Sequence, residues 1–325
     1  MQPFSANEIE TAQRIVYAAM PPTPQYSWPL LRERLGAEVW VKHENHTPLG
    51  AFKLRGGLVY LQGLAQSEPA CRGVISATRG NHGQSIAFAA RRHGLGATIV
   101  VPHGNSVEKN AAMRALGANL IEHGSDFQQA REHAARIAGE RGLHFVPSFH
   151  RDLVRGVATY WVEFFRAVQP AVVFVPVGQG SGIYACIAAR AHTGAATRIF
   201  GVVSAHATAY LDSFRAGRCI EAPVTTQLAD GMACRVPDEE PLALIRREVE
   251  DIVAVTDDEV AAAMRALFSD THNAAEGAGA ASLAAAMQQR ERWGAKSIGV
   301  TLCGGNVDRE LFARVLAAGE SKGWR

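Results

Sequence analysis

Three short glycine-rich loops constrain this chain most, because each interrupts it where a strand ends. They are Gly80-Asn81-His82-Gly83, Gly178-Gln179-Gly180-Ser181-Gly182 and Gly304-Gly305-Asn306. The second and third follow the apolar runs 172–177 and Ile298–Leu302, and the first follows the shorter run 74–77. In an open α/β sheet, ligands bind at the carboxyl ends of strands. Three such loops in one chain therefore point to a single small-molecule site.

The segments between the loops alternate in character. Ser5-Ala6-Asn7-Glu8 reads as a capping box, opening a helix that stops before Pro21-Pro22. Strands are expected at 38–42, 74–77, 97–101, 119–122, 172–177, 199–203, 251–255 and 298–302. Helices are expected at 82–93, 106–116, 127–141, 153–168, 183–192 and 276–289. A further helix to residue 268 opens on the capping box Thr256-Asp257-Asp258-Glu259. Alternating β and α segments predict parallel sheets with helices on both faces. The stretch 215–247 has the weakest periodicity and is expected to be irregular.

With 47% hydrophobic and 20% charged residues over 325 positions, the chain is of ordinary globular composition. A net charge of +2 without a basic cluster argues against nucleic-acid and membrane partners. The amino terminus, Met1-Gln2-Pro3-Phe4, has no basic, apolar leader pattern. Five scattered cysteines without a CxxC pair fit free thiols in a reducing cytoplasm.

The loop at Gly178, Gly180 and Gly182 lets backbone amides converge on an anion at a helix N-terminus. It has no Gly-Lys-Ser/Thr ending, so it is not a Walker loop. A dinucleotide site would need an acidic residue after the next strand, where Val203-Ser204-Ala205-His206 stands instead. The alternative is a tight turn that binds nothing. Lys53 lies between Phe52 and Leu54 with glycines on both sides. A solvated surface lysine is the common case, whereas a desolvated one becomes a nucleophile able to form Schiff bases. An anion loop and an amine at one site together suggest pyridoxal phosphate.

A longer pattern supports this reading. Glu44-Asn45-His46-Thr47-Pro48-Leu49-Gly50-Ala51-Phe52-Lys53-Leu54-Arg55-Gly56 resembles the lysine motif of the serine/threonine dehydratases. These are pyridoxal-phosphate enzymes of fold type II, related to serine racemase and tryptophan synthase β. Gly80-Asn81-His82-Gly83-Gln84 resembles their asparagine loop, and 175–182 their phosphate loop. Glu276-Gly277-Ala278-Gly279-Ala280 and Leu302-Cys303-Gly304-Gly305-Asn306 resemble their later motifs. Order and spacing hold from about residue 20 onward.

The resemblance implies two open parallel-sheet α/β domains with the cofactor in the cleft between them. The smaller, mobile one would span 73–148, inserted into a larger one built from 1–72 and 149–325. Lys53 would carry the cofactor and act as acid/base at Cα, and Phe52 would pack on the pyridine ring. Asn81 would bond the ring hydroxyl, and Gly178, Gln179, Gly180, Ser181 and Gly182 would cup the phosphate. Glu276 would belong to the cofactor site and Cys303 would meet the pyridine nitrogen. The amides of Thr78, Arg79, Gly80, Asn81 and His82 would bind the substrate carboxylate. A thiol of ordinary pKa ~8.5 is mostly neutral at pH 7 and cannot hold a pyridinium, which favours β-elimination. As a plain residue, Cys303 would be a small buried hydrophobe.

The implied activity is loss of water from a β-hydroxy amino acid, threonine or serine first, giving a 2-oxo acid and ammonia. Elimination from 3-hydroxyaspartate or another 3-hydroxy amino acid, β-replacement, a nicotinamide oxidoreductase and a non-enzymatic carrier are the alternatives. A homodimer is expected by resemblance. The chain stops soon after Cys303, so no feedback domain of the biosynthetic threonine dehydratases is expected.

Two positions depart from the pattern. Where relatives carry Ser-Ser/Ala before Gly-Asn-His, this chain has Thr78-Arg79. An arginine is a poor proton donor opposite the lysine, so weak racemisation is expected. Arg79 either reads a second anionic group on the substrate or forms a structural salt bridge. Val203, Ser204 and Ala205 offer no carboxylate where some relatives hold a divalent cation, so no structural magnesium is expected there.

Overall fold

The computed structural model describes residues 4–293 and 296–318. Positions 1–3, read above for a leader, lie outside the described residues. The first capping box forms: Ser5 accepts from the Glu8 amide and Glu8 from the Ser5 amide, starting α1 (Ala6–Tyr17). β1 (Gln25–Ser27) and α2 (Pro29–Leu35) lead into β2 (Val39–His43).

The next helix, α3 (Lys53–Ser67), is not announced by the sequence, because Gly56, Gly57 and Gly63 blur its periodicity. Those glycines serve packing. A Cβ at Gly56 would stand 2.8 Å from the Leu153 carbonyl oxygen, and one at Gly57 would overlap Ser85 Oγ. Helix α3, which begins at Lys53, is thus wedged tightly between neighbouring helices.

β3 (Gly73–Ala77), α4 (Asn81–Arg92), β4 (Gly96–Val101), α5 (Val107–Ala115), β5 (Asn119–Glu122), α6 (Phe127–Arg141) and β6 (His144–Phe145) then alternate. Ser106 and Asp126 cap α5 and α6 by accepting from the Lys109 and Gln129 amides. α7 (Arg151–Ala167), β7 (Val172–Pro176), α8 (Ser181–Thr193), β8 (Arg198–Ser204) and α9 (Ala209–Ala216) follow. A 3-10 turn, Glu44–His46, follows β2, and a second, Asp230–Met232, precedes α10 (Glu239–Glu248) and β9 (Asp251–Val255). The chain continues through α11 (Asp257–Thr271), α12 (Gly277–Gln288), α13 (Arg290–Trp293), β10 (Ile298–Leu302) and α14 (Arg309–Ala317).

Helix α10 corrects the irregular reading of 215–247. Pro241 looks like a breaker, but it sits in the first turn, where an amide hydrogen has no intrahelical acceptor anyway. Asp238 caps the helix, and Leu242 and Ile245 bury its inner face.

The strands form two sheets. One has the order β1-β2-β10-β7-β8-β9, parallel except for β1. The other has the order β5-β4-β3-β6 and is fully parallel. Strand β10 runs between β2 and β7, with Ile298 opposite Val39 and Val172. Helices cover both faces of each sheet. Phe174 and Val300 meet Met264 and Leu283 on one side of the large sheet; Val173 and Val175 meet Trp161 and Ile183 on the other. In β3, Val74 and Ile75 point to opposite faces, as the two-residue strand period requires. This is the doubly wound α/β architecture, and it brings the carboxyl ends of β3, β7 and β10 to one cleft. Among the described residues, no helix is long and apolar enough to cross a membrane.

Candidate active site

The loop after β10 is zipped to the segment before α3. Phe52 donates its amide to the Cys303 carbonyl at 3.0 Å, and Gly305 donates to Gly50 at 2.9 Å. Ala51 and Gly304 form an isolated antiparallel bridge. The start of α12 joins them, with the Glu276 amide donating to Gly304 at 3.1 Å. Asn306 Nδ2 donates to the Leu49 carbonyl at 2.8 Å and to Asn81 Oδ1 at 2.9 Å. Asn81 Nδ2 donates to Glu276 Oε1 at 2.6 Å, and Ser85 Oγ to the Lys53 carbonyl at 2.6 Å. Motifs more than two hundred residues apart in sequence are thereby held in one rigid frame.

A cavity opens on this frame, lined by Lys53, Phe52, the loops 78–82 and 178–182, Glu276 and Cys303. Every residue given a role at the site by the resemblance is on its wall, whereas Gly304, Gly305 and Asn306 of the third loop do not line it. Lys53 Nζ donates to Ser181 Oγ at 2.9 Å and lies 4.9 Å from the Phe52 ring centre. Burial pulls its pKa from 10.5 down to about 8, opposed only weakly by Cys303. Burial, reinforced by Glu276, pushes the Cys303 thiol far above its ordinary range, so it stays neutral at pH 7. Its sulfur donates weakly to the Ala278 carbonyl at 3.5 Å.

The anion end is the loop 178–182 at the N-terminus of α8. Gly180 has φ of +91°, a conformation that disfavours any Cβ, and this turns the chain from β7 into the helix. Trp161 Nε1 donates to the Gly182 carbonyl at 3.2 Å and fixes the loop from behind. The amides of the first helical turn have no intrahelical acceptors and carry the positive end of the helix dipole.

The loop 78–82 offers fewer free amides than its sequence suggests. The Thr78 amide donates to the Val100 carbonyl at 3.0 Å, as part of the sheet. Thr78 Oγ1 accepts from the Gly80 amide at 2.9 Å and the Gly83 amide at 3.3 Å. The amides of Arg79, Asn81 and His82 are those left for a ligand. Burial, helped by Lys53, lowers the His82 pKa to about 3, so this imidazole is neutral. Arg79 has no carboxylate partner among the described residues, so the structural salt bridge considered for it does not form, and its Nε is buried without a hydrogen bond.

Sequence reasoning missed Lys109. Its ammonium lies 2.7 Å from Asp230 and 3.1 Å from Glu276, bridging α5 to the opposite wall. Burial works against its charge, yet Glu276 and Asp230 outweigh burial and keep it protonated. Gly80, at φ +151°, lets this side chain pass, since a Cβ there would overlap Lys109 Cδ. Nothing in the helix pattern of 107–115 sets Lys109 apart from a solvated lysine.

These residues suit pyridoxal phosphate. A Cβ at Gly182 would sit in the cavity wall in ordinary contact with the Pro176 carbonyl oxygen at 3.8 Å and the Phe52 ring at 3.9 Å, on the side where the cofactor would lie. An aldehyde-reactive amine, an amide cup for a dianion, the rings of Phe52 and Tyr160, and a neutral thiol all face one cavity.

The sequence profile of the pyridoxal-phosphate dependent enzymes matches residues 16–304. The chain belongs to that family. The L-threonine ammonia-lyase of Thermotoga maritima is 32% identical over 324 residues, covering 99% of this chain and 80% of the relative. The L-threo-3-hydroxyaspartate ammonia-lyase of Saccharomyces cerevisiae is 31% identical over 300 residues, 92% of each chain. The solved structure of the processed form of threonine deaminase isoform 2 from Solanum lycopersicum superimposes with a TM-score of 0.85 at 27% identity, covering 97% of this chain and 95% of that one.

Proposed function

We propose that this chain is a pyridoxal-phosphate-dependent ammonia-lyase that converts a β-hydroxy α-amino acid into a 2-oxo acid and ammonia. L-Threonine and L-serine lead as substrates, supported by the similarity to L-threonine ammonia-lyases. The observation that carries the reading is the Lys53 amine, its pKa lowered to about 8 by burial and its nitrogen bonded to Ser181 beside the anion loop.

When bound, the cofactor supplies an electron sink that acidifies the Cα proton of an amino acid joined to it. In this reading Lys53 anchors the cofactor, while 178–182 and Ser181 receive its phosphate. Phe52 packs against its ring. Asn81, whose amide nitrogen keeps one hydrogen beyond that given to Glu276, faces its hydroxyl. The amides of Arg79, Asn81 and His82 orient the substrate carboxylate and so fix the Cα–H bond. With a pKa about 8, the Lys53 amine is partly neutral at pH 7 and takes the Cα proton. Cys303, held neutral, offers no counter-charge at the ring nitrogen and favours elimination over slower carbanion chemistry. Arg79 supplies no proton on the opposite face, so L- and D-serine interconvert far more slowly than serine is eliminated.

Residues 73–148 act in this reading as a small mobile domain, supported by the four-stranded sheet drawn wholly from that segment. The enzyme works as a homodimer in the cytoplasm, the latter in keeping with its five free cysteines. The test is keto-acid release from β-hydroxy amino acids by the cofactor-loaded protein. Light scattering at one chain mass would remove the dimer.

A further inference from the structure

One side chain on the cavity wall has no use in the reaction above. Arg79 is half-buried, its Nε is shut off from solvent, and no acceptor among the described residues meets it. A sheltered guanidinium nitrogen without a partner is costly, so such a group is held for an anion that arrives from outside. Arg79 lines the reaction cavity and also an adjoining cavity of about 380 Å³, with Phe127, Gln179 and Ala233 as shared walls. It therefore stands where the reaction site opens into space large enough for a substituent on Cβ.

The second cavity is lined by several charged side chains. Arg79, Arg131 and Arg235 line it, against Asp126 and Asp238. Both aspartates cap helix starts. Asp126 accepts from the Gln129 amide at 2.8 Å and lies 3.5 Å from Arg235; Asp238 accepts from the Glu240 amide at 3.4 Å. Arg235 also meets Glu221 at 3.2 Å. Of these three arginines, Arg235 is paired with carboxylates, Arg131 is exposed, and Arg79 is the sheltered one without a carboxylate partner among the described residues.

We propose that Arg79 is a specificity-determining residue that binds a second carboxylate on the substrate, so that the enzyme prefers β-hydroxy dicarboxylic amino acids of the 3-hydroxyaspartate class to threonine. The inference rests on the lyase reading above, keeps its reaction, and moves the lead substrate from threonine and serine to the dicarboxylate. A planar guanidinium pairs with a carboxylate through two parallel N–H···O bonds. A methyl group in the same place would leave Nε unpaired, and sites built to hydrogen-bond a substrate reject analogues that lack the partner.

The test compares kcat/KM for 3-hydroxyaspartate and L-threonine in the loaded enzyme, in Arg79→Gln and in Arg79→Lys. The ratio favours the dicarboxylate in the wild type. It falls by about 10- to 100-fold in Arg79→Gln, mostly through KM, and partly recovers in Arg79→Lys. Calorimetric binding of unreactive succinate, with butyrate as the monocarboxylate control, reads the same contact without turnover. Succinate binding weakens by about 10-fold or more in Arg79→Gln, while butyrate binding changes alike for both variants. A wild-type preference for threonine, or an unchanged ratio in Arg79→Gln, would overturn the proposal. If no β-hydroxy amino acid is consumed, the lyase reading fails, and the succinate result alone decides whether Arg79 binds a second carboxylate.

Discussion

Replacing Arg55 by methionine should destabilise the protein sharply, two residues from Lys53 on the same helix. Arg55 is fully buried. Its guanidinium donates to Glu44 at 2.7 and 3.0 Å, to Glu163 at 2.6 and 3.0 Å, and to Thr159 at 3.0 Å. Lys42 completes the cluster, 2.7 Å from Glu163. Two cations thus face two carboxylates in the interior. Burial works against the Glu163 charge, but Arg55 and Lys42 outweigh it and hold the carboxyl below its usual range. Arg55→Met leaves two buried carboxylates against one ammonium. Breaking a buried pair this way costs about 3–5 kcal/mol. At about 2.1 cal/mol/K per residue, the unfolding entropy of 325 residues is ~0.7 kcal/mol/K, so Tm should fall by ~4–7 °C. The double variant Arg55→Met, Glu44→Gln restores one cation to one anion and should recover roughly half of the loss. Thermal unfolding followed by circular dichroism reads both. A Tm for Arg55→Met within about 1 °C of wild type, or a double variant less stable than the single one, would refute the charge-balance argument.

Further outcomes follow from the site. Borohydride trapping of the cofactor aldehyde on the apo-protein should label Lys53 and rise with pH to a midpoint of about 8, since about 9% of such an amine is neutral at pH 7, roughly 200-fold more than for an ordinary lysine; a midpoint above about 10 would contradict the burial effect. Ser181→Ala removes a hydroxyl expected at the phosphate and should raise the cofactor Kd by roughly 10-fold or more, measured by absorbance titration. Gly80→Ala places a Cβ on Lys109 at a φ of +151° and should cost ~1–3 kcal/mol, with a wild-type unfolding midpoint refuting the overlap. The Glu163 carboxyl has its pKa lowered in the fold, so its stabilisation is complete above its unfolded pKa of ~4.3 and drains away as pH falls below that. Acid unfolding of Glu163→Gln should accordingly be less steep than that of wild type over that range.

The loops were legible because strand ends, glycine and helix starts are local in sequence. The runs 172–177 and 298–302 correspond to β7 and β10, and Thr256-Asp257-Asp258-Glu259 forms its capping box. Helices α3 and α10 were not legible, for opposite reasons. In α3 the glycines that permit close packing erase the helical signal, and in α10 a harmless first-turn proline imitates a break. The charged frame around the site was hidden entirely. Lys109 meets Asp230 and Glu276 across more than a hundred residues, and a sequence window carries no trace of that pairing. Nor could residue types reveal that the Thr78 and Gly80 amides are already bonded inside the protein.

Lys53 is proposed both to anchor pyridoxal phosphate and to move the Cα proton. The direct measurement is 2-oxo acid and ammonia release from L-threonine, L-serine and 3-hydroxyaspartate by the loaded wild type and by Lys53→Ala, alongside the cofactor absorption spectrum of each. The wild type should show a substrate-responsive band and stoichiometric keto acid and ammonia. Lys53→Ala should lose the covalent band and at least ~10³-fold in rate. Undiminished turnover by Lys53→Ala, or no absorption change when the wild type meets the cofactor, would contradict this role for Lys53.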